Sequence, residues 1–318
     1  MHRIAVLDDY QSVAAHYCDW SQVPGEIEVV EFHDHVGDED AAAARLAPFD
    51  VVIAMRERTE FRRPLLERLP NLKLLVTTGM RNKSIDVEAA TERDITVCGT
   101  GILGTGTAEL TWGLILAVAR HIPQEHESVR AGGWQQTIGL DLHGARLGIV
   151  GLGRLGTQIA GVGQAFGMDV VAWSENLTVE RAAEYGVRRV DKDELFSTSD
   201  VVTIHTLLSK RTRGLIGADD LGRMKPTAIL VNTSRGPIVD QQALLDALHK
   251  KQIGGAGLDV FDQEPLPRDH PLRTAPRTVL TPHLGYVTRD TYEVFYREAV
   301  EDVAAWIAGE PLRVIQPG

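Results

Sequence analysis

Short runs of valine, isoleucine and leucine recur along the chain, each bounded by polar or turn-forming residues and followed by a stretch whose apolar positions have helical spacing. They are RIAVLDD from Arg3, DVVIAM from Asp50, LKLLVTT from Leu72, RLGIVG from Arg146 and DVVAWS from Asp169, then DVVTIHT from Asp200, AILVNTS from Ala228, GAGLDVF from Gly255 and RTVLTPH from Arg277. Continuous apolar runs suit strands buried on both faces, and strands alternating with helices build parallel sheets covered on each side. The pattern predicts an α/β chain with two doubly wound parallel sheets.

Between the two series lies TGTAELTWGLILAVARHI, which starts at Thr105 and is apolar over helical length. A Thr- and Gly-rich turn opens it, and Glu109 falls in the first turn, where the helix dipole favours a carboxylate. It predicts one long helix bridging the domains. The segment TRDTYEVFYREAVEDVAAWIAGE near the carboxyl end also has helical spacing, with Thr291 or Asp290 as expected cap and Gly309 near its end.

The composition narrows the function classes. At 318 residues, 43% hydrophobic and 24% charged, the chain has the balance of a globular protein with room for two cores. Its net charge of -11 repels phosphate backbones, so no nucleic acid is expected as a partner. The opening MHRIAVLDDY carries acids where a secretion signal needs its apolar core, and no run approaches the ~20 apolar residues that span a bilayer. No membrane and a cytoplasmic location are expected. Cys18 and Cys98 are too few for a disulfide framework or a four-thiolate zinc site, and His33 and His35, read as alternate residues on a strand, lack a third ligand nearby. No metal is expected.

The candidate chemistry begins at LGIVGLGRLGTQIAGVGQAFG. Gly151 permits the tight turn after a strand, Gly153 lets a pyrophosphate approach the backbone, and Gly156 lets helix and strand pack closely. Anions bind there because the first N–H groups of a helix have no internal partner. A GxGxxG alone is weak, but here a strand precedes it, a helix follows, and DVVAWS completes a βαβ unit. An acid normally ends that second strand to bond the ribose 2′-OH; here the candidates are Ser174 and Glu175. NAD is the expected coenzyme, and NADP stays open, since a serine could admit a 2′-phosphate although no arginine comes before Arg181.

Three further stretches each end a predicted strand: VNTSRGPIVD with Arg235, GLDVFDQEP with Asp259 and Glu264, and TPHLG with His283. Carboxyl ends of strands line the ligand crevice of an open parallel sheet. Oxidising an alcohol by hydride transfer needs a base for the hydroxyl proton, and histidine suits neutral pH. Glu264 could fix its tautomer, and Arg235 could bind a substrate carboxylate through paired N–H bonds. Each has a plainer alternative: a loop ion pair for Arg235, a solvated turn for Glu264, a cap for Asp259.

Taken together, GLGRLG, VNTSRGPIVD, GLDVFDQEP and TPHLG, with GTAELTWGLILAVAR before them, resemble the D-isomer-specific 2-hydroxyacid dehydrogenase family, which includes D-3-phosphoglycerate and glycerate dehydrogenases. The resemblance covers nearly the whole chain. It implies a Rossmann cofactor domain, residues 100–285, inserted into a flavodoxin-like substrate-binding domain formed by residues 1–99 and 286–318. It makes Arg235, Glu264 and His283 the catalytic trio. The implied coenzyme contacts are Gly151, Gly153, Arg154, Leu155 and Gly156, with Ser174, Glu175, Thr206, Thr233 and Asp259, the last holding the nicotinamide carboxamide. Similarity also implies that a substrate carboxylate meets N–H groups of the loop TTGMRNKS, around Thr78, Gly79, Met80 and Arg81, and that the GTAELTW helix helps form a homodimer.

This chain has TTGMRNKSID where family members often have GAGVDNID, so Arg81, Asn82 and Lys83 add polar groups to the substrate loop. Arg56 and Arg58 could serve the same substrate, or pair with Glu57 and Glu60. The long regulatory extension of some phosphoglycerate dehydrogenases does not follow, so feedback control through it is not expected. The implied reaction interconverts a 2-oxo acid and a D-2-hydroxy acid. The rivals are a phosphite-type dehydrogenase of the same superfamily and a non-catalytic NAD(H)-sensing regulator; formate-type enzymes pair the histidine with glutamine, so Glu264 argues against them.

Overall fold

The computed structural model describes residues 1–317 and divides the chain into two units. The first comprises Met1–Leu103 and the chain from Thr288 onward; the second is Gly104–Val287. Both crossings fall a few residues beyond the boundaries expected from the sequence, because local bonds hold the intervening residues to one side. The Gly101 N–H donates to Glu298 Oε2 at 2.6 Å within the first unit, and Val287 N donates to Leu284 O at 2.8 Å within the second.

The first unit holds five parallel strands: β1 His2–Val6, β2 Ile27–Glu31, β3 Val51–Ala54, β4 Leu74–Thr77 and β5 Thr96–Gly99. Their order is β2-β1-β3-β4-β5, the flavodoxin-like winding. β3 and β4 are buried along their whole length, as continuous apolar runs require. The edge strands β2 and β5 go unpredicted by the runs named above. The helix Arg289–Ile307 buries Phe295, Tyr296, Ala299, Val300 and Val303. Its cap is Thr288 rather than Thr291 or Asp290: Thr288 is extended, and its side chain accepts from Thr291 N. Gly309, with φ 83°, follows the helix end. His33 and His35 lie beyond β2 in a loop, not on a strand; their Nδ1 atoms face Asp9 O at 3.0 Å and Asp8 Oδ1 at 3.1 Å.

The second unit holds seven parallel strands: β6 Arg146–Val150, β7 Asp169–Trp173, β8 Arg188–Arg189, β9 Val201–Ile204, β10 Ile229–Asn232, β11 Gly255–Leu258 and β12 Thr278–Leu280. The order is β12-β11-β10-β9-β6-β7-β8. Strand order reverses between β6 and β9, and ligands of doubly wound sheets bind beyond the carboxyl ends at such a reversal.

The stretch expected to form one bridging helix is two helices, Gly106–Ala119 and Ile122–Arg130. The break has a covalent cause. Pro123 has no N–H to give the Ala119 carbonyl, which accepts from Leu140 N at 2.8 Å instead, and His121 turns left-handed at φ 52°. The first of these helices lies entirely in the second unit, where Trp112, Leu114, Ile115, Val118 and Ala119 join the core.

Candidate active site

The strand β6 ends at Val150, and the chain turns at Gly151, whose φ of 100° belongs to the region that only glycine enters without strain. A Cβ there would also lie 2.9 Å from the His205 carbonyl. Gly153 then caps the helix Arg154–Ala165, and the space around it is open: a Cβ would meet nothing within 4 Å. A backbone with this much clearance, at a helix start with unpaired N–H groups, fits the pyrophosphate of a dinucleotide. Gly156 is buried one turn along, against the Gly151 carbonyl.

The remaining residues expected at the coenzyme surround this turn. Arg154 is exposed and Leu155 half-buried. Ser174 and Glu175 follow β7 directly, the first half-buried, the second exposed. Thr206 follows β9, and its carbonyl accepts from Ser234 Oγ at 2.5 Å. Thr233 follows β10, 6% exposed, with its Oγ1 2.7 Å from Thr111 Oγ1.

Arg235, Asp259 and His283 follow three adjacent strands, β10, β11 and β12, at the same end of the sheet. Arg235 is half-buried and extended; its Nη1 donates to Ser234 O at 2.7 Å. Asn232 folds that loop, accepting from Ser234 N and donating to Arg235 O, each at 3.0 Å. His283 has φ 55°, a left-handed backbone uncommon outside glycine.

Asp259 accounts for that conformation. Its carboxylate is fully buried and accepts from Thr281 Oγ1 at 2.6 Å, Leu284 N at 2.7 Å and Gly285 N at 2.9 Å, while its carbonyl accepts from His283 N at 2.8 Å. Asp259 thus wraps the histidine loop around itself rather than capping a helix. Burial pushes its pKa above the usual carboxylate range, and the donors from Thr281 and Leu284 work against that rise.

Glu264 is exposed by area yet doubly bonded. Its Oε1 accepts from Phe261 N at 2.9 Å, and its Oε2 lies 2.5 Å from His283 Nδ1. Such a contact fixes which imidazole nitrogen faces the carboxylate and leaves Nε2 as the nitrogen that can exchange a proton with a ligand. Tyr286 stands edge-on to the imidazole at 5.4 Å between centroids.

The expected substrate loop lies in the first unit. Two of its N–H groups are already engaged: Thr78 N donates to Ala54 O at 3.0 Å and Gly79 N to Thr100 Oγ1 at 2.9 Å. Arg56 fastens the loop from the side, its N–H to Thr78 Oγ1 at 2.8 Å and its Nη1 to Thr78 O at 2.9 Å, and it also faces Glu57 at 3.5 Å. Arg58 turns elsewhere, to Asp8 O at 2.5 Å and over the Tyr10 ring at 4.4 Å, and Glu60 pairs with Arg62 rather than Arg58. Asn82 also folds the loop, donating to Arg56 O and Thr77 Oγ1. Met80 and Arg81 are exposed.

Among the described residues, no group of three or more His, Cys, Asp and Glu is placed to hold a metal, and no helix is long and apolar enough to cross a membrane. Sequence patterns gave no signal for Asn232 or Tyr286; only the loop bonds and ring contacts single them out.

Residues 112–285 match the family model described as D-isomer specific 2-hydroxyacid dehydrogenase, NAD binding domain, which covers more than half of the chain. The chain belongs to the D-isomer-specific 2-hydroxyacid dehydrogenase family. It is 40% identical over 273 residues to a glyoxylate reductase of Aeropyrum pernix, covering 80% of this chain and 82% of the relative. It is 36% identical to a D-3-phosphoglycerate dehydrogenase of Synechocystis, but there it spans only 52% of the relative's length. The crystal structure of a phosphoglycerate oxidoreductase from Vibrio cholerae is similar at TM-score 0.92 and 38% identity, over 97% of this chain and 100% of that one. The dehydrogenase is thus an oxidoreductase whose second unit contains the NAD-binding domain.

Proposed function

We propose that the protein interconverts a 2-oxo acid and the corresponding D-2-hydroxy acid, with His283 as the acid and base, Glu264 as its partner and Arg235 as the group that binds the substrate carboxylate and carbonyl oxygen. The observation that carries this reading is the 2.5 Å contact between His283 Nδ1 and Glu264 Oε2, on loops neighbouring Arg235 at the carboxyl ends of β10, β11 and β12. When bound, the nicotinamide coenzyme supplies or accepts the hydride. In the reducing direction His283 Nε2 gives a proton to the carbonyl oxygen as it gains charge, and Glu264 steadies the ring through Nδ1. Arg235 offers parallel N–H donors to the carboxylate, which orients the carbonyl carbon.

The residues proposed to hold the coenzyme are Gly151, Gly153, Arg154, Leu155, Gly156, Ser174, Glu175, Thr206, Thr233 and Asp259. NAD is favoured over NADP by the exposed Glu175 beside Ser174, since a carboxylate repels a 2′-phosphate. In the first unit, engagement of Thr78 N and Gly79 N moves the proposed carboxylate donors to the N–H groups of Met80 and Arg81. A homodimer is supported by the helix Ile122–Arg130, which buries none of its residues, and by the exposed Ile122, Val129, Trp134 and Ile138 on and after it.

Steady-state assays with glyoxylate, hydroxypyruvate, 2-oxobutyrate and phosphohydroxypyruvate, each with NADH and NADPH, test the proposal. Turnover of at least one 2-oxo acid is expected. Tight NADH binding with no turnover of any would replace it with the regulator reading.

A further inference from the structure

Two threonines on the helix Gly106–Ala119, neither of them among the residues proposed to hold coenzyme or substrate, touch both loops that carry the proposed chemistry. Thr107 Oγ1 donates to Gly285 O at 2.9 Å, two residues past His283. One turn further, Thr111 Oγ1 donates to Thr107 O at 2.7 Å and lies 2.7 Å from Thr233 Oγ1, two residues before Arg235. A hydroxyl has one proton. Since Thr111 spends its proton on the helix carbonyl, Thr233 must be the donor in the second contact, and its lone pairs are left facing away from the helix.

Gly285 is consequently held from both sides. Its N–H goes to Asp259 Oδ2 at 2.9 Å, on the loop after β11, and its carbonyl is held by Thr107. The fit is close: a Cβ on Gly285 would lie 3.0 Å from Thr107 Oγ1 and 3.3 Å from Asp259 Oδ2. Gly285 is buried, so without the Thr107 hydroxyl its carbonyl would have no water to turn to. The left-handed His283 is the residue whose geometry depends on how this loop is pinned.

We propose that Thr107 is a positioning residue for the reaction: its hydroxyl, with Thr111 behind it, sets the loop that aims His283 at Glu264 and substrate. This rests on the reaction proposed above. The test compares Thr107→Val, which keeps shape and removes the donor, with Thr107→Ser, which keeps the donor; Thr107→Ala is read alongside so that the decision does not hang on one variant. The expected result for Val and Ala is a fall in kcat of about tenfold or more, as misplacement of a reacting group by part of an ångström produces. KM for the coenzyme should stay within about twofold, and Ser should restore most of kcat. Retention of kcat in both Val and Ala, or failure of Ser to restore it, overturns the proposal while leaving the reaction intact. If the wild type turns over no 2-oxo acid, the reaction itself falls, and the ¹⁵N resonances of the His283 ring decide the positioning role. Resonances moved by Val and returned by Ser support it, and resonances unmoved by Val refute it.

Discussion

The glycine turn can be tested by adding a single carbon to Gly156. An ideal Cβ at that position overlaps the Gly151 carbonyl oxygen outright, and lies 3.1 Å from the Gly151 carbonyl carbon and 3.3 Å from Ile149 Cγ2. Gly151 cannot yield. Its N–H is bonded to Trp173 O at 2.9 Å, and on its other flank a Cβ would already touch the His205 carbonyl. The start of the helix Arg154–Ala165 must therefore lift from β6 by roughly 1 Å to restore ordinary contact. Overpacking of this kind costs roughly 1–3 kcal/mol, which in a unit of this size lowers Tm by roughly 2–10 °C. The displaced N–H groups are those proposed to meet the pyrophosphate, and a charge-assisted hydrogen bond contributes roughly 1.5–3 kcal/mol. Gly156→Ala should accordingly weaken NADH binding by roughly ten- to a hundredfold. The assay is a fluorescence titration with NADH beside a thermal scan. Gly161→Ala, on the same helix, is the control: Gly161 is exposed and a Cβ meets nothing within 4 Å, so stability should rise by roughly 0.5–1 kcal/mol with Kd unchanged. If Gly156→Ala binds NADH within twofold of the parent and melts at the same temperature, the helix start is not the phosphate cradle.

Further outcomes follow from the same geometry. His283→Ala should lower the rate by ~10²–10⁴-fold with NADH binding retained, and a loss below about tenfold would count against proton transfer by this residue. Arg235→Lys keeps the charge but not the paired donors, so KM for the 2-oxo acid should rise at least about tenfold in steady-state assays; an unchanged KM would remove Arg235 from carboxylate binding. Trp134→Ser combined with Ile138→Ser should give a monomer by light scattering, and a mass equal to that of the parent would locate any dimer elsewhere. Stability against pH should respond to two groups in opposite senses. Burial pulls His205 down to about 4, so the unfolded chain takes up a proton first as pH falls. The His205 contribution is whole above 6.5 and is lost between 6.5 and 4, by up to about 3 kcal/mol. Burial pushes Asp302 up to about 7 despite the Arg313 guanidinium at 3.0 Å, so the folded chain keeps a proton that the unfolded one releases, and stability falls as pH climbs from 3.8 towards 7. Chemical denaturation across that range should show His205→Asn flattening the acid loss and Asp302→Asn the loss towards neutrality.

What the sequence revealed of the fold depended on burial. β3, β4, β9, β10 and β11 are buried on both faces, and each announces itself as a mostly apolar run. The edge strands carry weaker signals for the same physical reason. β2 reads IEVVE and is half-buried at every position, and β8 is only Arg188–Arg189, both exposed. The helix after residue 105 was legible as a helix, but its end was not, because the decisive fact is which carbonyl Pro123 fails to serve, and that carbonyl finds its donor in Leu140.

The site divides along a similar line. Arg235, Glu264 and His283 are legible because charged or titratable residues stand where apolar strands stop, and chain order alone puts those ends together in a parallel sheet. The bonds that give the site its shape leave no such mark. Asp259 stands out at a strand end in GLDVFDQEP, but nothing in that stretch reveals that it is fully buried and organises the loop that holds His283 through Thr281, Leu284 and Gly285. Thr107 and Thr111 read as the polar positions of a helix. The availability of loop N–H groups is equally hidden: Gly79 N is taken by Thr100, and Thr78 N by Ala54 on the neighbouring strand. Reactive side chains can be inferred from residue type and element order. Their orientation depends on hydroxyls and carboxylates whose partners are distant in sequence, so a motif names the residues of the proposed chemistry without showing which bonds aim them.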